Sequence, residues 1–252
     1  MLITPIAELE RYLARQIFSE SAFAQYRLGD VSHRELQPYA AALQRISEAY
    51  VNHDSGTTLS SPIVDSLGAR AYALYYTPIN AAKIMHLAPL LRFERAEISL
   101  LDVGCGPGTA SLALLLQLNK QLRVSCIESS APMRELARNL ISSWDINHYV
   151  TDVSMHSTVG VADNPHDLVV AANILAELYT HEAQSLLDRL VQAVSPGGYL
   201  LLLEPGQQQH TRQLMRLRDR VISDHPSLTP IFPCFRADNC PMLSSSATDW
   251  CH

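Results

Sequence analysis

Residues 100–109 read LLDVGCGPGT, and this segment constrains the fold more than any other. Gly104, Gly106 and Gly108 separate a fully apolar run, ISLLDV (98–103), from an apolar helical run over 109–119. A short uninterrupted apolar strand is buried on both faces, as strands inside parallel sheets are. Alternating glycines let the backbone turn sharply and let a ligand come close to it. The helix that follows offers free N–H groups and the positive end of its dipole to whatever occupies the turn. The segment therefore predicts a strand–turn–helix unit with a binding site at its apex.

The rest of the chain from residue 93 to 224 repeats this alternation. Strands are expected at 122–128, 146–152, 167–173 and 199–204, and helices at 129–142, 181–194 and 207–223. Pro132 falls in the first turn of its helix, where a missing N–H costs nothing. Ser195-Pro196-Gly197-Gly198 is read as the stop that ends the helix before it. Short apolar strands alternating with amphipathic helices predict an α/β fold, a Rossmann-like parallel sheet with helices on both faces.

A dinucleotide fingerprint, G-x-G-x-x-G, needs its third glycine at the position of Thr109, yet Gly108 sits one place earlier. G-x-G-x-G after the acidic strand residue Asp102 instead resembles the turn of S-adenosylmethionine (SAM) methyltransferases, where it meets the amino-acid part of the cofactor. The expected cofactor-binding set is Asp102, Gly104, Cys105, Gly106, Gly108, Glu128, Asp152 and Asn173. Cys105 is read as a small filler of the turn. Glu128, ending the second strand, can accept hydrogen bonds from two ribose hydroxyls. Asp152, read as ending the third strand, would meet the adenine amino group. Asn173, ending the fourth, would face the methyl acceptor. Ligands bind at such carboxyl ends in open α/β sheets.

No catalytic base can be named from the sequence. The Asn/Asp-Pro-Pro-aromatic turn used in amino-group methylation has no counterpart in AANILAEL (171–178). The Pro233-Cys234 pair lies far downstream of where a cytosine-directed nucleophile stands.

Residues 1–92 read as a helical region. Apolar positions recur at helical spacing over 4–18, and Ser32 with Glu35 forms a capping box ahead of a long amphipathic run to Val51. Two further helices are expected at 65–76 and 79–91, parted at Pro78. Residues 225–252 read as a loop-rich tail without helix, holding Pro226, Pro230, Pro233 and Pro241 and three of the five cysteines. Cys234, Cys240 and Cys251, with His252, are candidate ligands for an iron–sulfur cluster or zinc. Cys251 and His252 point to opposite sides in extended chain, so a further ligand is expected elsewhere.

Several classes are excluded. At 252 residues and 47% apolar, the chain is neither disordered nor collagen-like. No apolar run approaches membrane-spanning length. Glu8 and Glu10 stand where a signal peptide would be apolar, so a cytoplasmic protein is expected, or a mitochondrial one in a eukaryote. The net charge of −6 argues against attachment to nucleic acid by bulk charge, and neither DNA nor membrane is an expected partner. Arg212, Arg216 and Arg220, with Arg218, form one basic stripe on the 207–223 helix. It is read as a solvated face partly neutralised by Asp219 and Asp224, with RNA phosphates as the competing use.

Five segments together carry a family resemblance: AYALYYTPIN (71–80), LLDVGCGPGT (100–109), DLVVAANILAEL (167–178), PGGYLLLLEPG (196–206) and the C…CP…WCH tail. The chain resembles the methyltransferase-like proteins of the mitochondrial small ribosomal subunit and their bacterial relatives. The resemblance implies a class I methyltransferase fold, SAM as cofactor and association with the small ribosomal subunit, with rRNA as methyl acceptor. It also implies a 4Fe–4S cluster, to which Cys234, Cys240 and Cys251 would contribute three ligands. Relative to the family the C-terminus reads as shortened, lacking the fourth cysteine and two late strands. A non-catalytic ribosome assembly or translation factor that retains the fold is the alternative function.

Overall fold

The computed structural model describes residues 3–29, 31–52, 61–144, 149–158 and 165–251. Four helices come first: α1 (Ile3–Ile17), α2 (Glu20–Leu28), α3 (His33–Val51) and α4 (Ser66–Leu87). Then strands and helices alternate: β1 (Glu97–Val103), α5 (Thr109–Gln117), β2 (Gln121–Ile127), α6 (Ala131–Ser143), β3 (Val150–His156) and β4 (His166–Ala172). A 3-10 turn (Leu175–Glu177), α7 (Thr180–Gln192), β5 (Val194–Leu203), α8 (Gln208–Asp224) and a single-turn α9 (Pro241–Ser245) complete the chain.

The described strands form one five-stranded sheet in the order β3-β2-β1-β4-β5, all pairings parallel. The chain runs outward from β1 to β3, then returns to lay β4 on the other side of β1. The switch point therefore lies between β1 and β4, and a crevice opens beyond their carboxyl ends. This is the expected Rossmann-like architecture, with a helical N-terminal region.

Side-chain alternation along the strands sorts the core into two layers. Leu100, Leu122, Val124, Leu168 and Val170 join a buried cluster with Leu9, Leu13, Ile84, Met85, Leu112, Leu114 and Leu140, so α1, α4, α5 and α6 cover this face. Leu101, Val103, Val169 and Ala171 point the other way, onto Leu186, Leu187 and Leu190 of α7 and Leu217 and Val221 of α8. The N-terminal helices thus share a hydrophobic cluster with the sheet.

Local expectations met mixed outcomes. Ser32 caps α3 as expected: its hydroxyl accepts the Glu35 N–H at 3.3 Å and donates to the Glu35 carboxylate at 3.0 Å. The break predicted at Pro78 is absent, because α4 continues through it as one helix. Interior proline costs about 3 kcal/mol. Here Pro78 sits among buried Ala69, Ala71, Ala73, Ala81, Ile84 and Met85, whose packing offsets that cost. The Ser195-Pro196-Gly197-Gly198 stop lies inside β5, where the register with β4 shifts between His166 and Leu168 and Gly197 takes φ 77°. The tail contains the helical turn α9, begun by Pro241 in its first turn. No helix among the described residues is long and apolar enough to cross a membrane.

Candidate functional site

The turn after β1 is built as its glycines require. Gly104, Gly106 and Gly108 all have positive φ (66°, 54° and 85°), a region L side chains rarely occupy. Their surroundings differ. A Cβ on Gly104 would stand 2.8 Å from Ile174 Cδ1, and one on Gly108 2.9 Å from Ile141 Cδ1. Around Gly106 nothing lies within 4 Å. Two glycines are therefore fixed by close packing of the protein on itself, and the middle one faces open space. The contact at Gly104 also shows that the loops after β1 and β4 meet at the switch point.

Glu128 closes the other side of the turn. One carboxylate oxygen accepts the Gly106 N–H at 2.9 Å and the other the Ser130 N–H at 2.8 Å. Arg134 donates to the carbonyls of Glu128 (2.6 Å) and Ser129 (2.9 Å), and the Ser130 hydroxyl to the Ile63 carbonyl at 3.0 Å. The loop after β2 is thus pinned from α6 and from the segment before α4. Each carboxylate oxygen keeps a lone pair for a further donor.

Asp102 does not reach the turn's open side. It is 1% exposed, and one oxygen accepts both the N–H (3.1 Å) and the hydroxyl (2.7 Å) of Ser111. Gly108, at the N-cap of α5, has no side chain to cap the helix, and Asp102 satisfies a first-turn N–H from the strand beneath. Burial pushes its carboxyl up to about 6 against the pull of the Ser111 bonds. Cys105 is buried, as the filler reading expects. Its thiol is held well above its ordinary value by the hydrogen bond to Cys126 and by burial, which keeps it un-ionised and inert.

The expectation for Asp152 is corrected. The predicted strand 146–152 is displaced: β3 runs Val150–His156, and residues 145–148 lie outside the described set. Asp152 is the third residue of β3, paired in register with Arg123, and exposed near the strand's amino end. His156 occupies the carboxyl end instead, and its carbonyl accepts the Glu128 N–H at 3.0 Å. Asn173 does stand at the end of β4, with φ 57°, a left-handed conformation asparagine tolerates better than most residues.

Beside it lies a group of residues to which the sequence reading gave no role. Glu204, one residue past β5, accepts the N–H groups of Leu175 (2.9 Å) and Ala176 (3.1 Å), and so caps the 3-10 turn that carries Glu177. Burial raises the Glu204 carboxyl to about 7, against these bonds. Glu177 is raised further, to about 8, by burial and then by the charges of Glu204 and Glu128. Tyr50 of α3 and Tyr72 of α4 feel the charges of both Glu177 and Glu128, and their hydroxyls are pushed up chiefly by burial. With Tyr76 they form an aromatic wall, Tyr72 and Tyr76 having ring centroids 4.9 Å apart. The buried pair Thr77 Oγ1 and Thr109 Oγ1, 3.1 Å apart, ties α4 to the helix that opens at the glycine turn. Burial and charge thus link Glu128, Glu177 and Glu204 with Tyr50 and Tyr72 at the carboxyl-end side of the sheet. Only the placement of these acids one and five residues past strand ends could have marked them.

The tail cysteines are not arranged as a metal centre. Cys240 is buried, and the Cys251 thiol is raised by burial and then by Cys240 and Cys234, so the three are in electrostatic reach of one another. Among the described residues no group of three His, Cys, Asp or Glu is placed to hold a metal ion. His252 lies outside the described residues. The expected cluster ligands therefore do not fit a cluster as they stand.

The basic stripe is largely used within the chain. Arg220 pairs with both oxygens of Asp188 (2.8 and 2.7 Å) and with Asp224 (3.3 Å). Arg218 pairs with Asp219 at 2.6 Å and holds the carbonyls of Arg236 and Asp238. Arg212 donates to the Asp249 carbonyl at 2.6 Å. The neutralising roles read for Asp219 and Asp224 are those observed.

Residues 71–252 match the family described as mitochondrial small ribosomal subunit Rsm22. The chain belongs to the Rsm22 family. Beyond Rsm22, it is 30% identical over 114 residues to a carboxy-S-adenosyl-L-methionine synthase of Escherichia coli, covering 45% of this chain and 46% of that one. It is 27% identical over 125 residues to a highly reducing polyketide synthase of Alternaria alternata, covering 47% of this chain and 4% of that one. The chain thus spans less than half the length of these curated relatives. Among solved structures it is similar to an O-methyltransferase of Nostoc punctiforme (17% identity, 66% of this chain, 48% of that one, TM-score 0.45). A methyltransferase of Methanococcus maripaludis gives 19% identity, 64% and 73% coverage, and TM-score 0.44.

Proposed function

We propose that this Rsm22-family chain binds SAM in the crevice beyond β1 and β4 and acts as a methyltransferase-like protein on, or with, the small ribosomal subunit, rRNA being the methyl acceptor. The observation that carries the reading is the pairing of an open Gly106 with the Glu128 carboxylate across the turn. SAM bears a sulfonium and an ammonium against one carboxylate, so it is a net cation. The Glu128 carboxylate and the nearby Tyr50, Tyr72 and Tyr76 suit a cation, through charge and through the faces of the rings, and a bound cation would favour ionisation of Glu177.

The residues divide the task. Gly104 and Gly108 hold the turn against Ile174 and Ile141. Gly106 leaves room for the ligand's amino-acid end, and Glu128 offers its remaining lone pairs to the ribose hydroxyls. Asp102 positions α5 by accepting the Ser111 N–H from the strand beneath. Asn173 and Glu177 stand on the acceptor side. When bound, SAM supplies an electrophilic methyl group, and transfer is an in-line displacement in which holding the acceptor supplies much of the rate. No step of this proposal runs through a metal or an iron–sulfur cluster.

Calorimetric titration with SAM and with S-adenosylhomocysteine tests the reading. Micromolar binding of both, lost in Gly106→Arg while the fold is retained, is expected. Absence of binding by the folded wild type would overturn the cofactor assignment. Co-sedimentation with small ribosomal subunits tests the partner independently.

A further inference from the structure

The loop after β4 has little in its own sequence to hold it. Asn173 opens it at φ 57°, and the 3-10 turn Leu175–Glu177 receives no side-chain cap from Ile174, its N-cap residue. A turn this short does not stand alone in water. The first N–H groups of a helical turn lack partners within it, and here they belong to Leu175 and Ala176, 1% and 9% exposed. Glu204 supplies both acceptors from the neighbouring strand end. One oxygen takes the Leu175 N–H at 2.9 Å and the other the Ala176 N–H at 3.1 Å. One residue earlier, the Leu203 carbonyl accepts the Asn173 N–H at 2.7 Å, so the ladder between β4 and β5 leads directly into this clasp.

The clasped loop lies against the glycine turn. Ile174 packs so closely on Gly104 that a Cβ there would stand 2.8 Å from the Ile174 Cδ1. The Gly104 N–H is in turn held by the Ile127 carbonyl at 2.8 Å, and Glu128, the next residue, accepts the Gly106 N–H at 2.9 Å. Contacts therefore run without a break from Glu204 to Glu128, across the carboxyl ends of β5, β4, β1 and β2.

A carboxylate is an expensive cap for this turn. Among the described residues no ion pair includes Glu204, and Glu177, at the end of the same turn, is an acid that feels its charge. Burial and repulsion both oppose ionisation. Yet only an ionised carboxylate offers an acceptor at each oxygen, whereas an amide would turn a donor toward one of the two N–H groups.

We infer that Glu204 is a positioning residue: by holding the Leu175 and Ala176 N–H groups it seats Ile174 on Gly104, and so keeps the loop 173–177 and the glycine turn in one arrangement. The inference rests on the SAM reading for what that arrangement binds. Glu204 acts through Ile174 and not by touching the ligand.

The test compares Glu204→Gln, Ile174→Ala and the double variant with wild type, each as the full chain at pH 8, where Glu204 is ionised. Glu204→Gln keeps one acceptor and the size of the side chain, so the fold is retained. Amide hydrogen exchange without ligand reads the clasp. Glu204→Gln is expected to speed exchange about tenfold at Leu175 and Ala176 and to leave α7 unchanged. Calorimetric titration reads the consequence. SAM affinity is expected to fall about fivefold in Glu204→Gln, by a similar factor in Ile174→Ala, and no further in the double variant, because both substitutions act on one contact. Leu190→Ala, in the buried core of α7, controls for lost stability and is expected to leave SAM affinity unchanged.

Unchanged exchange in Glu204→Gln would overturn the clasp. Faster exchange with wild-type SAM affinity would overturn the positioning role and leave the cofactor reading standing. So would losses that multiply in the double variant, or an equal loss in Leu190→Ala. A folded wild type that binds no SAM overturns the cofactor reading itself, and this role with it.

Discussion

The Glu128 carboxylate and the Gly106 N–H meet at 2.9 Å across the turn that follows β1. This bond couples the loop after β1 to the loop after β2, so the two halves of the proposed cofactor site are set relative to each other before any ligand arrives. Such preorganisation lowers the ordering cost of binding.

At this turn, side-chain additions are expected to separate stability from binding. Gly104→Ala and Gly108→Ala force a Cβ against Ile174 and Ile141 and into positive φ, and each is expected to cost about 1–3 kcal/mol in denaturant unfolding. Gly106→Ala meets no neighbour and loses only the conformational share, about 1–2 kcal/mol. Its SAM affinity is nonetheless expected to fall, because the methyl group enters the open side. Equal affinity in Gly106→Ala and wild type would contradict the placement of the ligand there.

Removing the Glu128 carboxylate orphans two N–H groups. Glu128→Ala is expected to lower stability by about 1–3 kcal/mol and SAM affinity by at least tenfold. Glu128→Gln keeps one acceptor and is expected to recover part of the stability but little of the affinity. A titration in which the two variants bind SAM as the wild type does would remove Glu128 from the site.

Asp102 is expected to act on the fold. Asp102→Ala leaves the Ser111 N–H and hydroxyl buried without their acceptor, at a cost of about 2–4 kcal/mol. Hydrogen exchange at the first turn of α5 is the readout. An unchanged exchange rate at Ser111 would show that the cap is not needed.

The pH dependence follows from the raised acids. Glu177 at about 8 and Glu204 at about 7 hold protons in the folded protein that the unfolded chain has already released above its ordinary carboxylate range. The folded state therefore binds more protons between about pH 4.5 and 8, and stability falls as pH rises through this window. Glu177→Gln is expected to flatten the decline and to be more stable than wild type at pH 8. A cation placed beside Glu177 favours its ionised form, so SAM binding near pH 7 is expected to release protons. Calorimetry in buffers of different ionisation enthalpy reads this directly, and zero release in the wild type would separate Glu177 from the cation.

The strand–turn–helix at 97–117 was legible because every local preference agreed: apolar run, glycines, apolar helix. The α3 cap was legible for the same reason, since Ser32 and Glu35 satisfy each other within one turn. Pro78 misled because its local cost is outweighed by packing that only the assembled helices supply. The β3 bounds were missed because Thr151, Asp152, Ser154 and His156 give this strand a polar, weakly periodic sequence. Glu177 and Glu204 carried no motif. Their importance comes from burial and mutual repulsion at one sheet edge, and sequence distance does not report either.

The sequence alone determined that a parallel sheet would form and that a tight glycine turn would stand at Gly104–Gly106–Gly108, because backbone sterics and apolar runs act over a few residues. Tertiary structure decided which groups share the crevice. It turned Asp102 inward to Ser111, moved Asp152 away from the crevice, set Glu128 against Gly106 and brought Glu177 beneath the tyrosines of α3 and α4. It also spent most of the α8 arginines on carboxylates and tail carbonyls. Electrostatics and burial act through space, and the strand order β3-β2-β1-β4-β5 fixes who meets whom.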